Sequence, residues 1–448
     1  MARSVEADIV EHIPRVMGMT AYDVHEAGQA GLEIWHSGVE MSNLGLRLGM
    51  HAFRSMGFPV PRFEPMFEAV TELSGRIAKD YDKPSFGIRN ATILGERIPV
   101  EQKTVIQKPF GSLIHFERDT DRQDPKVLLV APMAGHYSTM LRGTAQGLLD
   151  LGMDVYMTDW GNARNIPIDA GEFGLEDYVD YTEAFIKELG PESHVVAVCQ
   201  STVPVLAAVS HLADKDPSAQ PLSMTLMAGP LDTRVAPTAV SELADAKSME
   251  WFEKYMVDIV PGSYEGAGRL VHPGFMQLAG FMALHPGKHI SEHIGLVGHR
   301  VAGRHEEAKK MIKFYDEYLA VADMSGRFYL DTVHSVFKER ELARGVMTVH
   351  GDIIDPAAIS GVRVLTVEGG KDDISAPGQT SVALDWLKGV SPRMKFQHLQ
   401  PDVGHYGTFE GTKFRTEIAP IIGGLVAEAS AHKRRERIPK RRNIALAQ

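Results

Sequence analysis

The sequence predicts an α/β fold: an open, mostly parallel sheet covered by helices on both faces, with a helical N-terminal segment and an inserted helical lid. Three observations predict it. From Lys126 to Pro230, short apolar runs rich in β-branched residues alternate with helical stretches, the pattern of strands buried on both faces between crossover helices. The alternation resumes at Gly361. Between the two, about 130 residues rich in Met, His and aromatics offer no comparable strand run, which reads as an insertion in one sheet.

Each element follows in order. Up to about residue 96 the chain shows apolar residues at three- and four-residue spacing, as in "YDVHEAGQAGLEIWHSGVEMSNLGLRLGMHAFRSM". The Met and aromatic side chains of that stripe are expected to serve packing. "GFPVPRFEP" breaks the pattern with three prolines. Two alternating runs, "RIPVEQKTVIQK" and "GSLIHFER", flank the turn-like "PFG" and predict an antiparallel hairpin. "KVLLVAP" then precedes a helix near 138–151, "DVYMTDW" one near 175–189, and "HVVAVC" one near 202–213. "SMTLMAGP" is the next strand. After the insertion come "GVRVLTVEGG", a helix near 379–387, the strand "MKFQHLQP" and a final helix near 413–431. The expected divisions are 1–96 (N-terminal helical segment), 97–230 (core, first part), 231–360 (lid), 361–431 (core, second part) and 432–448 (basic tail).

Composition fits a folded globular chain: 44% hydrophobic, 23% charged and 8% aromatic. The first residues lack the continuous apolar run of a secretory signal or a membrane span, so a cytoplasmic location is expected. The lone Cys199 cannot form an intramolecular disulfide. Net charge is −11, yet "KRRERIPKRR" carries seven basic residues and one acidic residue, leaving about −17 on the rest. An acidic body without a basic, aromatic-studded face argues against nucleic-acid binding. The tail reads as a solvated, disordered terminus, with an anionic surface or acidic partner as its alternative.

In doubly wound sheets ligands bind at the carboxyl ends of strands. There the sequence places three reactive groups. A nucleophile on a strand-to-helix turn needs small residues two before and two after it, and Cys199 has Ala197 and Ser201. Ser201 would have Cys199 and Val203 at those offsets, so Cys199 is preferred. The acid should follow a later strand and the histidine the last one. Asp372 stands three residues beyond Gly369, with Asp373 as neighbour and rival. His405 lies in the glycine-flanked "PDVGHYGTF". An imidazole held by a carboxylate can take the thiol proton. The resulting oxyanion needs two N–H donors, expected from Gln200 and from Met133, the latter within one or two residues.

Other motifs are weaker. His285, His289 and His293 are spaced like zinc ligands, but Pro286 and Gly287 fall inside the supposed turn. "GSYEGAG" has no preceding strand to make it a dinucleotide site.

The stretches "PMAGHYSTMLRGT", "MTDWGNAR", "VAVCQSTVPVLAA", "VEGGKDDISAPGQT" and "DVGHYGTFEG", in this order, resemble the intracellular polyhydroxyalkanoate (polyhydroxybutyrate, PHB) depolymerases across nearly the whole chain. The resemblance implies an α/β-hydrolase with a cysteine nucleophile, its Cys, Asp and His falling on Cys199, Asp372 and His405. It further implies attack on the esters of amorphous poly(3-hydroxybutyrate) in storage granules. The products would be 3-hydroxybutyrate oligomers and monomer, or a thioester if coenzyme A replaces water as acceptor. No resident cofactor or metal is expected. The expected partners are the granule surface and its coat proteins, and a homo-oligomer is left open. Competing readings are a polyester synthase, a small-molecule cysteine hydrolase and a silent granule-binding protein. Ala197 and Ser201 in place of glycines, and "DDISAP" where a histidine would follow the aspartate, count against the synthase.

Overall fold

The computed structural model describes residues 20–56, 64–284 and 286–437. The proline-rich break at 57–63, His285 and the chain from 438 onward lie outside them, as do residues 1–19, on which the location reading rests.

Two helices come first, α1 (Ala21–Ser55) and α2 (Glu64–Ala78). The main sheet follows: β1 (Asn90–Ile93), β2 (Glu96–Lys108), β3 (Gly111–Arg118), β4 (Lys126–Val130), β5 (Asp154–Trp160), β6 (His194–Val198) and β7 (Ser223–Met227). Beyond the lid, β8 (Arg363–Gly369) and β9 (Lys395–Gln400) complete it. Among the described residues the order is β1-β2-β3-β5-β4-β6-β7-β8-β9. β2 and β3 form the predicted hairpin, Lys108 opposite Gly111, and β3 joins β5 antiparallel. From β5 to β9 all pairings are parallel. This is the mostly parallel sheet that the alternating runs lead one to expect, and the α/β-hydrolase arrangement that the resemblance implies.

The central strands read as unbroken apolar runs because both of their faces are covered. Val127 to Val130 are wholly buried, with α4 (Leu175–Leu189) and α5 (Thr202–Lys215) on one side. On the other lie α3 (Arg142–Asp150) and the last helix, α9 (Ala419–Arg437), which packs on β7 and β8. That helix runs on to Arg437, so the first residues of the basic stretch are helical.

The sheet crosses over at β4, which has β5 on one flank and β6 on the other. The crevice at the carboxyl ends of β4 and β6 is therefore the switch point where such sheets bind ligands.

The lid contains α6 (Gly274–Leu284), α7 (Pro286–Val301) and α8 (His305–Tyr318). It also holds a three-stranded ladder of residues 258–259, 270–272 and 324–325, and a pair at 348–349 and 352–353. Strands this short leave no periodic run in the sequence. The helix expected near 379–387 is reduced to Ala383–Trp386. The backbone before and into it closes mainly i to i+3 turns, as in Ala383 N–H to Thr380 O and Leu384 N–H to Ser381 O, while Glu368 Oε1 accepts the N–H groups of Gly378, Thr380 and Ser381 at 2.8–2.9 Å.

The N-terminal stripe departs from its expected packing role. α1 turns His36 and Asn43 toward α2, hydrogen bonded to Ser74 and Thr71. Trp35 and Met41 are left exposed. No helix of the described residues is long and apolar enough to cross a membrane.

Buried polar groups set a pH dependence. His194, opening β6, is hydrogen bonded through Nδ1 to Ser223 of β7 (2.8 Å) and through Nε2 to Ser430 of α9 (3.0 Å). Burial lowers its pKa to about 4. A group neutral in the fold but charged in the unfolded chain contributes stability present above about pH 6.5 and lost as pH falls toward 4. Roughly 2 kcal/mol should be lost by pH 5. Urea midpoints at pH 7 and pH 5 test this; His194→Asn should show a smaller difference between them.

Candidate active site

β6 delivers Cys199 directly after Val198, at φ 58°. For a residue with a Cβ this left-handed conformation is strained, and it lifts the side chain off the strand end before α5 begins. Ser201, the rejected alternative, is wholly buried. Its hydroxyl lies 2.8 Å from the Val130 carbonyl of β4 and accepts from Val198 N–H at 2.8 Å, which fixes the turn. The small residues two before and two after Cys199 thus sit where β4, β6 and α5 converge.

Asp372 and His405 arrive from the other part of the core. Their loops are stitched together by Gly370 N–H to Gln400 O and Lys371 N–H to Val403 O, both 2.8 Å. Gly369 is required for this approach: a Cβ there would stand 2.6 Å from Thr408 Oγ1 and 2.9 Å from the Val403 carbonyl. Asp372 is buried. Its Oδ2 lies 2.8 Å from His405 Nδ1, while Oδ1 accepts from Ile374 and Ser375 N–H at 3.0 and 2.9 Å. Asp373 is exposed. With Nδ1 engaged by the carboxylate, His405 hydrogen bonds Cys199 on its other side. Burial opposes a charged imidazole, but the charges of Cys199 and Asp372 and the hydrogen bonds to both outweigh it. His405 is therefore held well above the ordinary histidine range.

The loop after β4 is anchored firmly. Tyr178 hydroxyl and Trp160 Nε1–H donate to Ala131 O at 2.6 and 2.8 Å, and Ala131 N–H donates to Thr158 Oγ1 at 2.8 Å. This brings Met133 beside Cys199's neighbour, where its N–H donates to Gln200 Oε1 at 3.0 Å. One of the two N–H groups expected to face a reacting carbonyl is thus engaged by a side chain. Ala134, next along, lines the cavity beside Cys199. The lid clasps the same loop, through Ala322 N–H to Gly135 O at 2.8 Å and a bridge between His136 and Val321.

Two cavities flank the Cys199–His405 contact. One, of about 140 Å³, is mainly apolar; Cys199 and Gln200 form its floor, and Leu243, Phe252, Met276 and Val333 of the lid form its walls. Met276, Gly280 and Phe281 come from "HPGFMQLAGFMALHP", so this stretch both packs within the lid and lines the cavity. The other, of about 870 Å³, opens on the far side of His405 between Tyr318, Phe314, Lys371 and Asp373.

Sequence reasoning missed the Gln200 side chain as the partner of Met133. It also missed Tyr318 and Tyr406, whose rings lie 5.8 Å apart with Tyr406 edge-on to His405 at 5.7 Å. Tyr406 stood in view beside His405; Tyr318 comes from α8, where no motif marks it. His293 stacks against Tyr315, His285 lies outside the described residues, and no metal-ligating cluster occurs among the described residues.

Comparison with known proteins adds likenesses of fold and one partial match in sequence. The chain is similar in fold to a monoacylglycerol lipase of Paleococcus ferrophilus, with 14% identity, 74% of this chain and 99% of that one covered, and a TM-score of 0.40. It is similar to a Nitrososphaera gargenis structure from work on carboxylesterases, with 11% identity, 75% and 100% covered, and a TM-score of 0.39. It is similar to DcsB, seen with a substrate analogue, with 12% identity, 75% and 99% covered, and a TM-score of 0.42. No curated protein matches the chain in sequence. Residues 228–430 match the family model described as PHB de-polymerase C-terminus. That stretch contains Asp372 and His405, and over it the chain is similar to the PHB de-polymerases.

Proposed function

We propose that the protein cleaves the ester bonds of amorphous poly(3-hydroxybutyrate) in storage granules, with Cys199 as nucleophile, His405 as general base and Asp372 as its orienting acid. The observation that carries this reading is the linked chain of Asp372, His405 and Cys199 at the floor of an apolar cavity.

His405 Nε2 holds the proton drawn from Cys199, and the sulfur attacks the ester carbonyl as a thiolate. The oxyanion is stabilised by the N–H of Gln200 and, once the Gln200 amide has swung aside, by that of Met133. The C–O bond breaks and the leaving alcohol takes the proton from His405. The acyl group then sits on sulfur as a thioester. An acceptor, water or the thiol of coenzyme A, gives its proton to His405, attacks the thioester and releases Cys199. The larger cavity beside His405 offers the acceptor a route that does not cross the apolar one.

Purified protein is expected to release 3-hydroxybutyrate equivalents from amorphous granules. Running the reaction with and without coenzyme A, and weighing products by mass spectrometry, distinguishes acid from thioester. Polymer growth from hydroxybutyryl-coenzyme A, with no release from granules, would point to a synthase instead. Granule association without thiol-dependent turnover would mark a silent binder.

The engaged Met133 N–H yields a further expectation. Gln200→Glu places a carboxylate oxygen on the same donor, binds it more tightly and repels a developing oxyanion. The rate of release should fall about 10²- to 10³-fold, while the melting midpoint stays close to that of the parent. An unchanged rate would remove Met133 from the oxyanion site.

A further inference from the structure

One side chain in the wall of the apolar cavity carries a hydrogen-bonding group that the fold leaves partly unused. Gln277, in the first turn of α6, lines that cavity together with Cys199 and Ala134. The other polar side chains of the wall are committed elsewhere. The hydroxyls of Thr332 and Ser375 donate to Phe328 O at 2.8 Å and to Gln379 Oε1 at 3.5 Å, and His272 Nδ1 is bonded to Met256 O. Gln200, whose Oε1 accepts from Met133 N–H, belongs to the oxyanion site already described. Among the described residues the Gln277 amide has one hydrogen-bond partner, its Oε1 lying 3.0 Å from His272 Nε2. An amide carries two N–H donors. Whichever end of it faces the ring, at least one of them is left over.

That surplus donor is held in place. Gly135, two residues beyond Met133, sits at φ 78°, and a Cβ on it would stand 2.6 Å from Gln277 Cγ and 2.9 Å from Gln277 Cβ. The missing side chain is thus a notch in which the stem of Gln277 lies against the loop after β4. The other end is fixed as well. His272 closes the lid strand 270–272, and its ring stacks on that of Tyr329 at 4.0 Å. The start of α6 is pinned by Gly274 N–H to Asp323 Oδ1 at 2.8 Å. A donor oriented before its ligand arrives loses little freedom on binding. Covering it with a purely apolar ligand would leave it desolvated and unpaired, which costs free energy. The cavity therefore suits a ligand that is apolar in body yet carries an acceptor close to the carbonyl under attack. A plain acyl chain has none there. A polyester of hydroxy acids has an ester carbonyl in every repeat.

We infer that Gln277 determines specificity: its amide N–H donates to the ester carbonyl of the repeat next to the one that Cys199 attacks, and so selects polyesters of hydroxy acids over simple acyl esters. The inference rests on the reading of Cys199 as nucleophile and of a polyester as substrate.

Two soluble esters separate the possibilities: the methyl ester of the linear 3-hydroxybutyrate trimer, and p-nitrophenyl butyrate, whose acyl chain has no second carbonyl. Gln277→Glu keeps the stem on Gly135 and the size of the side chain but removes both N–H donors. For the trimer ester it should lower kcat/KM by about 10- to 100-fold. The loss should fall on KM, with kcat kept within about threefold, because the hydrogen bond is made in the ground state and the transition state alike. For p-nitrophenyl butyrate kcat/KM should stay within about threefold of the parent. Gln277→Leu, which also lacks the donors, should show the same split, with a melting midpoint close to that of the parent. Equal losses on the two esters in both variants overturn the inference and leave the cysteine mechanism standing, as does a trimer ester cleaved with parental kcat and KM. A parent protein that cleaves p-nitrophenyl butyrate but not the trimer ester overturns the polyester reading itself, and the inference with it.

Discussion

Cys199→Ala is expected to abolish release of 3-hydroxybutyrate from amorphous granules, a loss of about 10⁴- to 10⁶-fold, while leaving the fold intact. The two halves of that expectation have separate causes. In the proposed mechanism the sulfur is the atom that forms and breaks the acyl bond, and the nearby Ser201 hydroxyl is buried and spent on Val130 and Val198. Alanine keeps the Cβ, so the strained φ of 58° is neither relieved nor worsened. The melting midpoint should therefore move little, whereas thiol alkylation of the parent should reproduce the loss. Full release by the alanine variant would refute the cysteine mechanism whatever the substrate proves to be.

Asp372→Asn should lower the rate by about 10⁴-fold, and Asp373→Asn by no more than a few-fold. The hydrogen bonds explain why so small a change is so damaging. Oδ1 accepts two backbone N–H groups, from Ile374 and Ser375. An asparagine can satisfy them only with its oxygen, which turns its NH₂ toward His405 Nδ1. Nδ1 must then accept, so the imidazole proton moves to Nε2, the atom that has to receive the Cys199 proton. The base is lost while the geometry is kept. Asp373 is exposed, and the carboxylate bonded to His405 Nδ1 is that of Asp372. Equal losses from both changes, measured as turnover on granules, would contradict this assignment.

The sheet could be read from the sequence because burial on two faces leaves a compact signature. "KVLLV", "HVVAV" and "SMTLM" are strands throughout. The strand-to-helix turn at Cys199 was legible through Ala197 and Ser201, since steric crowding at such a turn constrains residue size whatever surrounds it. Asp372 was legible through Gly369, whose missing side chain admits the histidine loop. What stayed hidden depends on contacts between distant residues. Four residues of β1, and lid strands of two or three, are shorter than any period. The stretch near 379 closes mainly in tight turns, anchored by Glu368, more than ten residues upstream, a contact that no local pattern announces. The bond from Met133 to the Gln200 side chain spans 67 positions, and nothing local announces it. α1 misled in a different way: its periodicity was real, but a helix has several faces, and apolar spacing alone does not say which of them turns inward.

The split of the sheet around the lid also has a consequence for biosynthesis. β6 finds its neighbour β4 among residues already made, but β7 must wait for β8, Leu226 pairing with Thr366 across the whole insertion. His405 follows Cys199 by roughly 200 residues. At roughly 5–20 residues per second, the ribosome exposes the thiol about 10–40 s before it supplies the imidazole. Through that interval the nascent chain carries the Cys199 thiol without its imidazole partner.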